Sequence, residues 1–295
     1  MRVELATIED RENLALLRAE EWRGPLSTQQ FSQRNRLLYG HPYAAQMKTF
    51  LLRSDRGEIV TSLDALRVSL LDYSGKFSGL HFAFVITPKV HRGKGYSTKL
   101  LTHVLENEAW DYSVLYSDIP MTFYERLGFR GRPVSVVERS ASTGQMLGAD
   151  SLNLSQVVHE LTQYRKKEII ENNAAILPDP LFLDWHLERF RFFASESGRK
   201  LSNEMYWCLQ HSRSHPLIAV PNYIWGTLDA LWVVPDCQLC LTFLANLAAK
   251  HKLGSFRYWA SELLYDAPKR EQPMIRKKES AKEVQFTNPQ WCDWW

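Results

Sequence analysis

The sequence predicts an α+β fold in which helices flank a central mixed sheet, followed by a second half that repeats this arrangement in degenerate form. Residues 81–87 form an apolar, strand-like run, and a short loop leads from it into apolar residues at helical spacing. A turn signal, Asp55-Arg56-Gly57, separates two strand-like segments and indicates a hairpin. A strand–proline–helix–strand order recurs between residues 230 and 261 and echoes the first half.

Composition limits the class of protein. The 295 residues suffice for two modest domains or one large one, and 45% hydrophobic with 23% charged residues is ordinary for a globular protein. A net charge of +3 is too small to indicate a nucleic-acid partner. No apolar run approaches the ~18 residues of a membrane span, and residues 1–13 contain no apolar signal core. We therefore expect no membrane partner and a cytoplasmic location.

The predicted order of elements before residue 140 is β–α–α–β–β–β–α–β–α–β. Thr7 and Ser27 are suited to begin helices, the Gly24-Pro25 pair breaks the chain between those helices, and Gly128 predicts a helix end. The predicted strands are 2–6, 48–53, 58–64, 81–87, 112–117 and 129–137. The predicted helices are 8–21, 28–39, one that follows the loop over residues 91–97 and ends near residue 111, and a short one over 118–128.

Residues 141–155 are small and polar and indicate a linker, so we expect domains over 1–140 and 156–295. In the second, Pro235-Asp236-Cys237-Gln238 stands where the first half has its glycine-bearing loop, so we expect no pyrophosphate site there. Cys237-x-x-Cys240 has the spacing of half a zinc site or a redox pair, but it lies in an apolar run without a second ligand pair. We expect buried structural cysteines and no metal. The predicted segments are helices 156–171, 179–195 and 237–252 and strands 216–220, 223–229, 230–234 and 256–261.

The loop over residues 91–97 has the composition of an anion site. A strand, a tight loop and a helix N-terminus direct unpaired backbone N–H groups and the positive end of the helix dipole at a ligand. Gly93 and Gly95 allow close backbone approach, and Arg92 and Lys94 add charge. The spacing is neither GxxxxGK[ST] nor GxGxxG, which argues against a nucleoside triphosphate or dinucleotide. A solvated basic turn is the alternative.

Arg92-x-x-Gly95-x-Ser97 resembles the R/Q-x-x-G-x-G/A pyrophosphate loop of the GNAT acetyltransferases, with Ser97 in place of the usual Gly or Ala. Residues 122–129, TFYERLGF, resemble the FYxxLGF element of that family, and the predicted order of elements is that of the GNAT fold. The resemblance implies acetyl-CoA as co-substrate and a backbone N–H near the end of the central strand that polarises the acetyl carbonyl. The implied cofactor-binding residues are Val85, Ile86, Thr87, Arg92, Gly93, Lys94, Gly95, Tyr96 and Ser97.

Longer segments resemble one fungal GNAT family, the Lyc-type lysine acetyltransferases of lysine catabolism. They are EEWRGPLS (20–27), SLDALR (62–67), RGKGY (92–96), SVLYSDI (113–119), FYERLGF (123–129) and the DWH…F pattern at 184–193. Asp64 stands where we expect that family to have Glu, and HFAFVI replaces a more glycine-rich strand. The resemblance implies acetyl transfer to the ε-amino group of free L-lysine.

This chemistry requires an acid and a base. An ε-amine with a pKa near ~10.4 is neutral in about 1 molecule in 2500 at pH 7, equivalent to roughly 4.6 kcal/mol, so a base must take a proton. The departing thiolate must receive a proton. Direct attack in a ternary complex requires no covalent enzyme intermediate. By resemblance Tyr124 is the general acid, with helix packing as the alternative. The base candidates are Asp64, His81 and Asp118. Asp64 could instead bind the substrate ammonium group, and His81 could be a surface or core histidine whose hydrogen bonds are all made within the protein. For Asp118 the alternative is helix N-capping.

Glu21 and Arg23 flank the Gly24-Pro25 break, a region that covers the acceptor pocket in the GNAT family. Arg23 would hold the α-carboxylate of lysine bidentately, and Asp64 would bind its ammonium group; for Glu21 and Arg23 a surface salt bridge is the alternative. Two further hypotheses stay open. Acetylation of protein lysines or N-termini needs an open groove, and a non-catalytic CoA-binding protein would lack an acid near Tyr124. The sequence does not predict the oligomeric state.

Overall fold

A nine-stranded mixed sheet forms the centre of the molecule, in a computed structural model that describes twelve stretches of the chain. Helices cover this sheet, and a second, four-stranded sheet lies in the C-terminal half. The predicted fold class is confirmed. The described residues are 1–131, 135–144, 149–151, 154–168, 173–177, 179–200, 206–210, 213–215, 217–232, 238–260, 272–278 and 285–286.

The N-terminal elements follow the predicted order as far as Gly131. Strands β1 to β4 are antiparallel neighbours in sequence order, and β4 pairs with β5 in parallel. The bounds are β1 (Arg2–Leu5), α1 (Ile8–Trp22), α2 (Thr28–Gly40), β2 (Met47–Arg53), β3 (Ile59–Asp72), β4 (Gly75–Ile86), α3 (Tyr96–Asn107), β5 (Tyr112–Ser117), α4 (Thr122–Glu125) and β6 (Arg130–Gly131).

Local chemistry explains the helix starts. The Thr7 hydroxyl accepts from the Asp10 N–H at 3.1 Å, and the Thr7 N–H donates to the Asp10 carboxylate at 2.9 Å. Ser27 and Gln30 make the same reciprocal pair at the start of α2, so both predicted caps are confirmed; such caps are worth about 1 kcal/mol each. Helix α3 buries Leu100, Leu101, Val104 and Leu105 against the sheet at the predicted spacing.

Strands are exchanged between the two halves of the chain. Strand β15 (Gln272–Lys277) lies between β5 and β6 and is antiparallel to both, and β9 (Asn173–Leu177) pairs with β3. Strand β7 (Ser135–Ser140) leaves the first sheet and pairs with β14 (Ser255–Ala260) of the second. The strand predicted over 129–137 is thus divided between two sheets, and the sheets do not separate at the predicted boundary near residue 140. The basic residues Arg276 and Lys277 belong to β15.

The second sheet repeats one three-strand unit of the first. Strands β12 (Ile218–Asn222) and β13 (Thr227–Trp232) are antiparallel, and β13 runs parallel to β14 through α7 (Gln238–Lys250), as β3, β4, α3 and β5 do. The strand predicted over 223–229 is corrected, since residues 223–226 are a turn in which Gly226 has a φ of +67°. The remaining elements are β8 (Ala149–Ser151), α5 (Leu154–Glu168), α6 (Pro180–Glu196), β10 (Tyr206–Gln210), β11 (Arg213–His215) and β16 (Gln285–Phe286).

Helix α6 joins the two halves. Trp185 donates from its indole N–H to the Leu38 carbonyl of α2 at 2.9 Å, while Leu187 and Phe190 pack in one apolar cluster with Ile218 and Leu231 of the second sheet. Cys240 is buried, whereas Cys237 lies outside the described residues. Within the described ranges no cluster of His, Cys, Asp and Glu is suited to hold a metal ion. No helix of that part of the chain is long and apolar enough to cross a membrane.

Candidate active site

Two adjoining cavities open where β4 and β5 separate. The last register pair of these parallel strands is Phe82–Leu115, and both strands continue beyond it, to Ile86 and Ser117. The inner cavity, of about 290 Å³, lies along residues 81–85. The loop cavity, of about 360 Å³, lies along residues 85–87 and the glycine-bearing loop. Four residues line both cavities and mark their junction: Trp22, Val85, Asp118 and Tyr124.

The glycine-bearing loop presents its backbone to the loop cavity. Gly93 and Gly95 have φ angles of +76° and +74°, in the left-handed region that glycine tolerates best. A Cβ added at either would meet nothing within 4 Å, so the backbone borders open space. Gly95 directly precedes α3, whose first-turn N–H groups have no partner within the helix. This arrangement fits a pyrophosphate group.

Most of the predicted cofactor-binding residues line the loop cavity. They are Val85, Ile86, Thr87, Arg92, Gly93, Gly95, Tyr96 and Ser97. Lys94 differs: it is not among the lining residues, and its ammonium group donates to the Val90 carbonyl at 3.2 Å. The structure therefore does not place its ammonium group in the cavity wall.

The Arg92 side chain is engaged by the protein. Its Nε donates to the Thr87 carbonyl at 3.0 Å, and its Nη2 donates to the Glu21 carboxylate at 2.5 Å. Glu21, predicted as a substrate-binding residue, thus lies at the loop cavity and pairs with the loop. Arg23 lines neither cavity; it donates to the Leu26 carbonyl at 2.8 Å and closes the turn between α1 and α2. The structure therefore does not place Arg23 where a substrate carboxylate would reach it.

Tyr124 and Asp118 meet at the junction. Tyr124 is 6% exposed, and burial followed by the Asp118 charge raises the pKa of its phenol, so the phenol stays protonated at neutral pH. Asp118 accepts from the Trp22 indole N–H at 3.2 Å. Helix α4 has Met121 at its N-cap and no side-chain cap, so the N-capping alternative for Asp118 is wrong.

Asp64 lies outside both cavities. Its carboxylate is fully buried and accepts from Arg18 Nη1 at 2.8 Å and Nη2 at 2.9 Å, and from the Tyr39 hydroxyl at 3.0 Å. Burial lowers the pKa of Arg18, but the Asp64 charge outweighs it, so that the pKa ends above its usual value. The placement of Asp64 as a base or ammonium ligand facing the substrate is corrected, because both of its oxygens bind Arg18.

His81 lines the inner cavity from β4. Its imidazole is 1% exposed and contacts Tyr116 edge-on, with 5.7 Å between ring centroids. Burial lowers the pKa of His81 to about 3, because the charged imidazolium loses its hydration there. At neutral pH the ring is uncharged and weakly basic, which suits a hydrogen-bonding role better than proton abstraction.

Strand β4 is irregular at the cavity wall. Its register against β3 shifts between Ala83 and Ile86, and Phe84 has a φ of +47°. A non-glycine residue in this region costs of order 1–3 kcal/mol and occurs mainly at functional sites. The bulge turns the backbone out of the β3 ladder beside the cavities. The Phe84 ring contacts Trp22 edge-on at 5.4 Å, and Arg18 lies over it at 4.9 Å.

Sequence reasoning missed two arginines of the inner cavity. Arg34 of α2 and Arg189 of α6 both line it. Arg34 is 8% exposed and stacks on Phe31 at 4.4 Å. Burial, followed by the charge of Arg189, lowers the pKa of Arg34 to about 9, so it remains charged at neutral pH. The Lyc-type resemblance covers residues 184–193 and thus Arg189, but no motif marked Arg34.

Comparisons with known proteins agree with this geometry. The sequence pattern of the acetyltransferase (GNAT) domain matches residues 5–131. Among solved structures, a GCN5-related N-acetyltransferase from Kribbella flavida has a TM-score of 0.59 and 15% identity, over 94% of this chain and 72% of that one. The Anabaena variabilis GCN5-related N-acetyltransferase has a TM-score of 0.59 and 14% identity, over 94% and 73%.

The match extends to a eukaryotic enzyme. Saccharomyces cerevisiae N-myristoyltransferase with bound myristoyl-CoA has a TM-score of 0.56 and 13% identity, over 97% of this chain and 81% of that one. No protein of curated function matches the sequence. At these identities the structural likeness establishes the fold, and the domain match adds the catalytic class. The chain has the GNAT fold, and its residues 5–131 match the acetyltransferase (GNAT) domain.

Proposed function

We propose that the protein transfers the acetyl group of acetyl-CoA to the amine of a small substrate, with the ε-amino group of L-lysine as the preferred acceptor. The observation that carries this proposal is the junction of the two cavities, where Tyr124 and Asp118 face both. The loop cavity suits the pyrophosphate of CoA, and the inner cavity suits a small amine. The Lyc-type resemblance supports lysine.

The residues at the junction take complementary roles in this proposal. The Asp118 carboxylate holds the acceptor ammonium and takes a proton from it, directly or through water. The amine nitrogen then forms the new C–N bond as the C–S bond of the thioester breaks. Tyr124, kept protonated by burial and by Asp118, donates a proton to the thiolate, and the second proton that the nitrogen releases restores the phenol, directly or through water. Backbone N–H groups beside the bulge at Phe84 and Val85 stabilise the carbonyl oxygen.

His81 and Asp64 act through other groups. His81, uncharged at neutral pH, orients the acceptor from the wall of the inner cavity. Asp64 fixes Arg18 against the Phe84 ring and so supports the shape of that wall. This assignment leaves Asp118 as the base candidate among the three acidic and imidazole groups that the sequence suggested.

Two observations favour a small acceptor over a protein substrate. Helix α6 supplies Arg189 to the wall of the inner cavity and packs on α2 through Trp185, so the C-terminal half covers the side where a polypeptide would enter. A non-catalytic CoA-binding role is disfavoured because Asp118 lies at the same junction as Tyr124.

Thiol release from acetyl-CoA tests the reaction. Purified protein is assayed with L-lysine, ornithine, spermidine and a lysine-containing peptide. We expect turnover with lysine above the other three, and Tyr124→Phe to lower kcat by 10²- to 10⁴-fold, on the order of a lost general acid. The exposed Tyr73→Phe is the matched control. Peptide turnover exceeding lysine turnover would move the assignment to a protein acetyltransferase.

A charge reversal in the loop tests the cofactor site. Arg92→Glu puts a second carboxylate beside Glu21 at the loop cavity, and we expect it to abolish CoA binding measured by calorimetry. Lys89→Glu makes the same charge change in the neighbouring turn, where Lys89 is not among the residues that line the cavity. Equal CoA affinity of wild type and Arg92→Glu would remove the phosphate assignment.

A further inference from the structure

A buried cation lines the inner cavity, and no carboxylate among the described residues lies at ion-pair distance from it. Arg34 is 8% exposed, and among the described residues its side chain donates one hydrogen bond, from Nη2 to the Asn35 side-chain oxygen at 3.2 Å. Its Nε has no hydrogen-bond partner within the described part of the chain. A buried, charged donor left unsatisfied is costly and calls for an explanation.

Arg189 adds a second positive charge to the same wall. It lines the inner cavity together with Arg34, and both also line a small adjoining space of about 30 Å³. Burial and then the charge of Arg189 lower the pKa of Arg34. Two guanidinium groups that disfavour each other at one place are stabilised by an anion between or beside them.

The inner cavity therefore has positively charged side chains in one part of its wall and a carboxylate in another. Neither Arg34 nor Arg189 lines the loop cavity, whereas Asp118 lines both. The positive charges thus lie on the inner side, and the carboxylate lies at the junction, where the acetyl group arrives. A substrate that matches this distribution carries an amine at one end and an anion at the other.

We propose that Arg34 and Arg189 form a subsite for the carboxylate of the acceptor, which makes the enzyme selective for ω-amino carboxylates over amines that lack an acidic group. Guanidinium groups bind carboxylates through paired, charge-assisted hydrogen bonds. The inference rests on the proposed function, because it concerns the acceptor end of the same cavity. It replaces Arg23 as the carboxylate ligand.

Three acceptors test how much the carboxylate of lysine contributes to binding, apart from its α-amine. Cadaverine lacks the carboxylate of lysine, and 6-aminohexanoate keeps the carboxylate but lacks the α-amine. We expect kcat/KM for lysine and for 6-aminohexanoate to exceed that for cadaverine by roughly 10- to 100-fold, the size of a charge-assisted contact. Equal kcat/KM for cadaverine and 6-aminohexanoate in the wild type would overturn the subsite.

Variants assign the effect to the arginines. Arg34→Met keeps the apolar stem on Phe31, and we expect it to raise KM for 6-aminohexanoate about 10- to 100-fold while the KM for cadaverine changes by less than about threefold. Arg189→Met should act in the same direction. Arg36→Met, an exposed arginine of the same helix paired with Glu12, is the matched control. A ratio between the two acceptors that is unchanged in Arg34→Met would reject the proposal, and this ratio is independent of the folded fraction.

Binding separates failure of the subsite from failure of the proposed function. If the wild type binds acetyl-CoA but turns over none of the three acceptors, the proposed function fails. The subsite is then judged by thermal denaturation with 6-aminohexanoate. A rise in Tm for the wild type that is absent in Arg34→Met supports the subsite, and equal Tm shifts for the two proteins reject it.

Discussion

Two buried arginines on neighbouring helices have opposite surroundings. Arg18 of α1 is fully buried, and its guanidinium donates to Asp64 through both terminal nitrogens. Arg34 of α2 is buried nearly as deeply, yet no carboxylate within the described ranges lies at ion-pair distance from it. Burial lowers the pKa of both guanidinium groups, but the Asp64 charge brings that of Arg18 above its usual value, whereas the like charge of Arg189 lowers that of Arg34 further.

The difference separates a structural charge from a ligand-binding one. Arg18 lies behind Phe84 and outside both cavities, where Asp64, Tyr39 and Ser62 complete its contacts. Arg34 lines the inner cavity, where a substrate group is available to it. Folding desolvates both guanidinium groups, but of the two only Arg18 recovers an ion pair with a residue that the structure describes. In the proposed subsite, the free energy lost by desolvating Arg34 is recovered when the substrate carboxylate binds, which links this region to the choice of acceptor.

Breaking the compensated pair gives the largest expected effect. Asp64→Asn leaves the Arg18 charge buried without its partner, and we expect a loss of about 3–5 kcal/mol in the free energy of unfolding, measured by urea denaturation. Glu12→Gln, which breaks the exposed pair with Arg36, is the control and should cost less than about 1 kcal/mol. The double variant Arg18→Met/Asp64→Leu should recover most of the loss. A loss below about 1 kcal/mol for Asp64→Asn would contradict the structural role of the pair.

His81 offers an intermediate case, a buried ionisable group that stays neutral. Its pKa is about 3 in the folded protein and 6.5 for the free group, so between these values the unfolded chain binds more protons and stability falls as pH falls. At pH 5, about 1.5 pH units below the pKa of the free group, the lost free energy of unfolding is roughly 2 kcal/mol.

The pH dependence is read as a difference between variants. We expect the wild type to lose about 2 kcal/mol more than His81→Gln between pH 7.5 and pH 5, in unfolding free energies measured by urea. His103→Gln, on the exposed side of α3, removes a histidine without removing a buried one and should follow the wild type. Parallel curves for wild type and His81→Gln would show that His81 is hydrated or paired with a charge in the folded protein.

Replacing the uncompensated arginine should cost little stability. Arg34→Met removes a desolvated charge and keeps the apolar stem, so we expect the free energy of unfolding without ligand to fall by no more than about 1 kcal/mol, or to rise. Arg18→Met, the same substitution at similar depth, leaves Asp64 buried without its cation and should cost about 3–5 kcal/mol. Similar losses for both variants, in urea denaturation, would remove the distinction between the two sites.

Local signals explain what the sequence predicted. The strand–loop–helix unit of β4, residues 91–97 and α3 depends on helical spacing, on Gly93 and Gly95 and on neighbouring strand residues, all within a short stretch. The caps at Thr7 and Ser27 each depend on a residue three positions later. For this reason the cofactor loop and the N-terminal element order were within reach of sequence reasoning.

Long-range contacts explain what it did not predict. Strand β15 was not predicted at all, and its place between β5 and β6 is decided by contacts with chain segments far from it in sequence. Asp64 has the composition of a catalytic carboxylate, but the Arg18 that neutralises it lies 46 residues away. Arg34 stands in a polar helix without a motif, and only the fold brings it to the wall that Arg189 shares.

The half-exposed pair of Glu21 and Arg92 gives the smallest expected effect. It is an ion pair in contact with solvent, to be compared with the buried pair of Arg18 and Asp64. Unlike the Arg18–Asp64 pair, its side chains are 35% and 49% exposed, and such pairs are worth about 0.2–1 kcal/mol. Glu21→Gln removes a negative charge from the loop cavity and releases Arg92, so we expect CoA to bind about two- to fivefold more tightly. The gain should shrink between 50 and 500 mM salt, because exposed charges are screened.

Glu20→Gln, one position earlier on α1 and absent from the residues that line the loop cavity, is the matched control. Weaker CoA binding by Glu21→Gln, measured by calorimetry, would mean that the ion pair orders the loop for its ligand and does not compete with it.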